Sequence, residues 1–134
     1  MRILLVMILF ALAGCAASTA AITAGGSQVE LRQIQTREYE TLDKRGTLRS
    51  VVATLQDLGF VIDKADYDMA TVSATKLQKY EIRMTVTVRQ RDGDRIAVRA
   101  NARFNDQPIE DPKSYQDFFV TLDKAMFLTL HEVD

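Results

Sequence analysis

The chain has 134 residues, with 17 basic and 18 acidic side chains, one cysteine, one histidine and no tryptophan. That length suits one small domain. The near-neutral balance argues against a general nucleic-acid binder, which needs a strongly basic face to neutralise phosphates, and a lone cysteine excludes an internal disulfide framework or a cysteine-rich zinc site.

Met1 and Arg2 are followed by Ile3 to Ala13 without a polar residue. That run is too short to span a bilayer, which takes about 20 residues, and fits the apolar stretch of a secretory signal peptide. It ends Leu12-Ala13-Gly14-Cys15, which resembles the lipobox of bacterial lipoproteins. The resemblance implies that residues 1–14 are removed and that Cys15, the only cysteine, becomes the N-terminus. It further implies that Cys15 carries a diacylglycerol and an N-acyl chain such as palmitate. More than one chain gives stable anchoring. Ala16 and Ala17 follow rather than Asp, so the resemblance implies the periplasmic face of the outer membrane of a Gram-negative cell. The other reading of these residues is an ordinary signal peptide with a chance cysteine.

Residues 15–30 read as the lipidated cysteine and a flexible tether. Ala, Ser, Thr and Gly dominate to Gln28, with only Ile22 of any size, too little apolar surface to offset ordering entropy. As a coil the tether would hold the domain about 20 Å from the membrane. The remaining 31–134 are expected to form a single domain.

Residues 31–41 mix Leu31, Ile34 and Tyr39 with polar positions and are expected to form a half-buried first strand. Asp43 then caps a helix whose Leu48, Val51, Val52, Leu55 and Leu58 follow the 3–4 spacing, and Gly59 suits a left-handed C-terminus. Phe60-Val61-Ile62 begins a strand that the polar run Asp63–Asp68 interrupts, with pairing resuming over Ala70–Lys76. Tyr80, Ile82, Met84, Val86 and Val88 alternate with polar residues, as do Ile96, Val98, Ala100, Ala102 and Phe104, predicting a hairpin with one core face and one wet face. A three-residue loop, Arg91-Asp92-Gly93, keeps apolar residues opposite apolar ones. It pairs Val88 with Ile96, Val86 with Val98, and Glu81 with Arg103. Asp111 and Pro112 start a final helix that buries Tyr115, Phe118, Phe119, Leu122, Met126, Thr129 and Val133. Phe127, Leu128 and Leu130 broaden its apolar surface, so either the two helices share a wide interface or this helix also meets a partner.

The expected fold is α+β, in the order β-α-β-β-β-α, an antiparallel sheet with two helices packed on one face. That arrangement resembles the helix-grip domains of the BamC family, lipoproteins of outer-membrane barrel assembly, and more loosely the lipopolysaccharide-transport lipoprotein LptE. The segments Gln35–Tyr39, Leu55–Asp63 and Tyr115–Phe119 resemble uncharacterised bacterial lipoproteins. Such a likeness implies a class of role and no particular activity.

No Gly-x-Ser-x-Gly, phosphate-binding Gly-rich loop or His-Glu-x-x-His occurs, and the lipobox resemblance implies that Cys15 would be consumed by lipidation. His131 reads as a helix-end residue near the negative end of the dipole. Asp63, Asp66 and Asp68 lack calcium-loop spacing and read as a solvated turn. The expectation is therefore a protein that is not an enzyme, with no metal, no cofactor beyond the lipid on Cys15, no nucleic-acid partner and no evident small-molecule substrate. Arg83, Arg89, Arg95, Arg99 and Arg103 project from the wet hairpin face. They make either a site for anionic partners, since the guanidinium fork suits phosphate and carboxylate, or a charged face that keeps the sheet soluble. Ala74, Ala100 and Ala102 leave room either for an acyl chain or for Phe118 and Phe119. The expected function is an accessory or interaction subunit of an envelope assembly, secretion or transport complex, with an envelope protein as partner. The alternative is a carrier of lipid, lipopolysaccharide or glycan in the helix–sheet cleft or on the arginine face.

Overall fold

The computed structural model describes residues 28–131. Arg32 onward forms one compact unit. Of the unit before it only 28–31 are described, and these are helical as part of α1, 28–34. The expected strand over 31–41 is thus confined to β1, Thr36–Tyr39. The elements that follow are α2 (Lys44–Asp57), β2 (Val61–Asp66), β3 (Thr71–Leu77), β4 (Glu81–Gln90), β5 (Ile96–Phe104), β6 (Gln107–Pro108) and α3 (Pro112–His131). The fold is α+β: the antiparallel sheet runs β1-β5-β4-β3-β2, with β6 pairing β5, and α2 and α3 pack on one face.

Helix α2 begins and ends as its residues dictate. The Asp43 carboxylate accepts from the Gly46 amide at 2.8 Å, satisfying one of the amides that a helix start leaves unpaired. At the other end Gly59 takes φ 85°, its amide donating to the Gln56 carbonyl and that of Phe60 to the Leu55 carbonyl, the paired bonds of a Schellman C-terminus. Leu48, Val51 and Leu55 are buried from this helix, and Tyr115, Phe118, Phe119, Leu122 and Met126 from α3. The helices run antiparallel, with the hydroxyls of Ser50 and Thr129 at 2.7 Å and Leu58 grouped with Thr121.

Two expectations about the strands need correcting. The polar stretch after Ile62 does not interrupt one strand but belongs to two. β2 continues to Asp66, and a turn over 67–70 reverses the chain into β3. Asp66 accepts from the Met69 amide at 2.9 Å and Ala70 adopts φ 53°, so the local side-chain bond of an aspartate makes the turn. The β4–β5 register is also shifted by two residues. Val88 pairs with Val98, Val86 with Ala100, Met84 with Ala102 and Ile82 with Phe104. The Arg91 amide donates to the Arg95 carbonyl, leaving Asp92-Gly93-Asp94 as the loop with Gly93 at φ 71°. Strand period is two, so this slip leaves every side chain on its expected face. The cross-strand partners change: Arg103 faces Arg83, and Glu81 bonds Arg83 at 2.8 Å.

Candidate functional site

Cys15 lies outside the described residues. Of the five arginines expected on the wet face, Arg83, Arg89, Arg99 and Arg103 occupy outward positions of β4 and β5, where Val86, Val88, Val98 and Ala100 turn inward and are buried. Arg95 stands in the loop before β5, bonded to Glu38 at 2.9 Å. Arg83 is held by Glu81, and Arg103 donates to the carbonyl of Asp106. These two form one end of the face. At the other end three rows of neighbours cross the sheet. Thr36, Arg99 and Thr87 form the first row, and Glu38, Ala97 and Arg89 the second. Arg95 and Arg91 close the third through their backbone bond.

Ala97 is only 4 % exposed although it sits on the outward face. A methyl group surrounded by long side chains makes a floor, and the neighbours form walls. Arg32, Thr36, Thr87, Arg89, Gln90, Arg91, Ala97 and Arg99 line a hollow of about 650 Å³ there. Glu38, outside the lining, bonds Arg95 and approaches Arg91 at 3.8 Å. Arg89 donates to the Met69 carbonyl at 3.2 Å. Among the described residues no carboxylate lies within ion-pair distance of Arg99. Sequence reasoning placed Arg89 and Arg99 here but missed Arg32, Arg91 and the role of Ala97. Arg91 was expected inside the loop, and the two-residue slip brings it back into the ladder.

The apolar residues expected to broaden α3 are exposed: Phe127 by 60 %, Leu128 by 66 % and Leu130 by 51 %. Met126 between them is buried. His131 stacks on Phe127 with centroids 4.1 Å apart, and its Nδ1 lies 2.7 Å from the Phe127 carbonyl.

A second concavity lies where the ends of the two helices meet the sheet. Leu58, Phe60, Ile82, Met84, Ala102 and Ile109 line it, with Lys76 and Asp117 among them, around about 170 Å³. The Lys76 ammonium donates to the Leu58 carbonyl at 2.8 Å and lies over the Phe60 ring. Ala74, Ala100, Phe118 and Phe119 are all fully enclosed in the core.

Of the three aspartates expected in a solvated turn, Asp63 and Asp66 instead stand on β2, and only Asp68 lies in the turn that follows. Asp63 accepts from the Thr75 hydroxyl at 2.6 Å, and Asp66 pairs with Lys64 at 3.3 Å. The Met69 amide, then Lys64, holds the Asp66 carboxyl below its ordinary value. Among the described residues no group of three His, Cys, Asp or Glu side chains is placed to hold a metal ion, and no helix is long and apolar enough to cross a membrane. Compared with known proteins, the chain matches no family model and no curated sequence.

Proposed function

We propose that this protein is a non-catalytic lipoprotein, anchored through Cys15 to the periplasmic face of the outer membrane, that acts as an interaction subunit of an envelope complex. The observation carrying the reading is the last turn of α3. Phe127, Leu128 and Leu130 are more than half exposed at the end of a helix whose earlier turns bury every large aromatic residue they contain. Phe127 and Leu130, one turn apart, share one side of the helix and Leu128 stands on another, so the apolar surface wraps the helix end. Exposed apolar surface of this kind marks sites that other proteins cover, and an apolar helix end fits a partner's groove. The lipobox-like Leu12–Cys15 and the small-residue segment behind it supply an anchor and a tether for such a surface.

Two substitutions test the two halves of the reading. Cys15→Ser should abolish labelling by radioactive palmitate in bacterial cells and release the protein from the membrane fraction; unchanged labelling sinks the anchor. Leu128→Glu with Leu130→Glu should leave the purified domain folded and remove it from its complex on native gels. The carrier alternative receives less support from the cleft between helices and sheet. Its volume of about 170 Å³ is close to that of an engineered cavity that holds one benzene, so it admits a short apolar segment and not a whole acyl chain.

A further inference from the structure

We propose that the hollow floored by Ala97 is a binding site for a phosphate group carried on a small polar body, such as a glycerol- or sugar-sized headgroup. This goes beyond the interaction surface of α3 and uses different residues. The argument begins with the three rows of the open sheet face. Arg99 stands between two threonines, paired with Thr36 on one side and Thr87 on the other. Directly opposite neighbours in a sheet have Cβ atoms about 5 Å apart, so the guanidinium of Arg99 is flanked by a hydroxyl on each side, the two threonines standing about 10 Å apart across the row. No hydrogen bond within the described fold employs either hydroxyl. One row further, Ala97 lowers the floor between Arg89 and Glu38. Arg32 and Arg91 complete the lining.

The charge pattern selects the ligand. Four guanidinium groups line the hollow, and no carboxylate does. Glu38, opposite Ala97 on β1, is turned to Arg95 at 2.9 Å and to Arg91 at 3.8 Å. Arginine forks match the tetrahedral oxygens of phosphate and add geometric selection to charge. A threonine hydroxyl on one side of Arg99 can donate to a phosphate oxygen while the other reaches the body that carries it. A bare phosphate does not fill about 650 Å³, and the polar lining from Gln90 and the threonines suits a hydroxyl-bearing body beyond the phosphate. The ordinary alternative, a face made soluble by spread arginines, does not explain why the smallest side chain of the face lies buried beneath the longest ones.

The test uses the full-length protein in zwitterionic detergent at low ionic strength. Isothermal titration calorimetry is run against glycerol 3-phosphate and, separately, against mixed micelles containing phosphatidylglycerol. Saturable binding should weaken about tenfold or more in Arg99→Gln, and in Ala97→Leu, which fills the hollow without changing charge. Arg83→Gln, at the far end of the face, should bind as the parent does. Circular dichroism confirms folding of each variant. Response to both probes assigns a soluble phosphorylated ligand, and response to the micelles alone assigns a lipid headgroup. No saturable binding to either probe, or equal losses in Arg83→Gln and Arg99→Gln, overturns the proposal. Loss of the α3 partner through Leu128→Glu should leave this binding unchanged, so the two readings fail separately.

Discussion

Gln35 and Tyr115, eighty positions apart, meet in the core, where the Gln35 side-chain amide donates to the Tyr115 hydroxyl at 3.1 Å. The same hydroxyl accepts from the Ala102 amide at 3.2 Å and donates to the Ile109 carbonyl at 2.6 Å. One oxygen thereby joins the approach to β1, the strand β5, the loop after β6 and α3. Tyr115→Phe keeps the ring packing and strands two donors and one acceptor. Leaving buried polar groups unpaired costs about 1–3 kcal/mol apiece, and partial relaxation should hold the total near 2–3 kcal/mol. Urea unfolding of the purified protein measures it. A loss under about 0.5 kcal/mol would show that the node is not needed.

Thr54 presents the reverse case. It is fully buried on α2, and its hydroxyl has no hydrogen-bond partner among the described residues. Thr54→Val replaces an unsatisfied group by an apolar one of similar shape. We expect a gain of about 1 kcal/mol in the same urea assay, since removing a buried unpaired group is neutral or stabilising.

β1 is tied to α3 by Asp123, which accepts from the Tyr39 hydroxyl at 2.8 Å and from Arg37 at 2.6 Å. Burial first, and then the bond to Asp123, push the Tyr39 phenol well above its ordinary value. A raised folded value means that this contribution is complete below the unfolded pKa, about 10. It is lost as pH rises beyond that, because the unfolded chain ionises more readily. Tyr39→Phe should therefore be less stable than the parent at pH 8, and the gap should close above pH 10. A gap that stays constant to pH 11 contradicts this.

On the acid side the sign reverses. The Ser114 hydroxyl, and after it the amides at the start of α3, hold Asp111 below its ordinary value, and Asp66 is lowered at the end of β2. Their contributions are present above the ordinary carboxylate range, about pH 4, and disappear as pH falls through the lowered folded values. A double variant, Asp111→Asn with Asp66→Asn, should lose less stability than the parent between pH 5 and pH 2 in thermal melts. An identical slope refutes the assignment.

The register of the central hairpin can be tested by cysteine pairs. Thr85 lies opposite Asn101, so Thr85→Cys with Asn101→Cys should close a disulfide on mild oxidation. The pair Thr85→Cys with Arg99→Cys, which a two-residue slip would align, should close far more slowly, because its Cα atoms lie beyond bridging reach.

These particulars also show what a sequence carries. Asp43, Gly59 and Asp111 act through local hydrogen bonds and Pro112 through its fixed φ, and α2 starts and stops, and α3 starts, where those residues indicate. The alternation from Ile82 to Phe104 settles which side chains face the core. It does not settle how far one strand has slid against the next, since a slip of two preserves every facing. Glu81 opposite Arg103 was an attractive pair, yet the chain places Arg83 there and satisfies it from its own strand. The hollow around Ala97 was illegible for the same reason. It depends on β1 lying beside β5 and on Arg91 rejoining the ladder, and neither follows from periodicity. Phe127, Leu128 and Leu130 were legible as surplus apolar surface because the helical stripe was already filled.

The central claim concerns what covers that surplus. Photocrosslinking amino acids placed at Leu128 and Leu130, with Gln116 at the other end of α3 as the control, test it in living bacterial cells. We expect one discrete adduct with the same envelope protein from both apolar positions and none from Gln116. The same adducts from all three positions, or none from Leu128 and Leu130, would contradict the assignment of this turn as the partner surface.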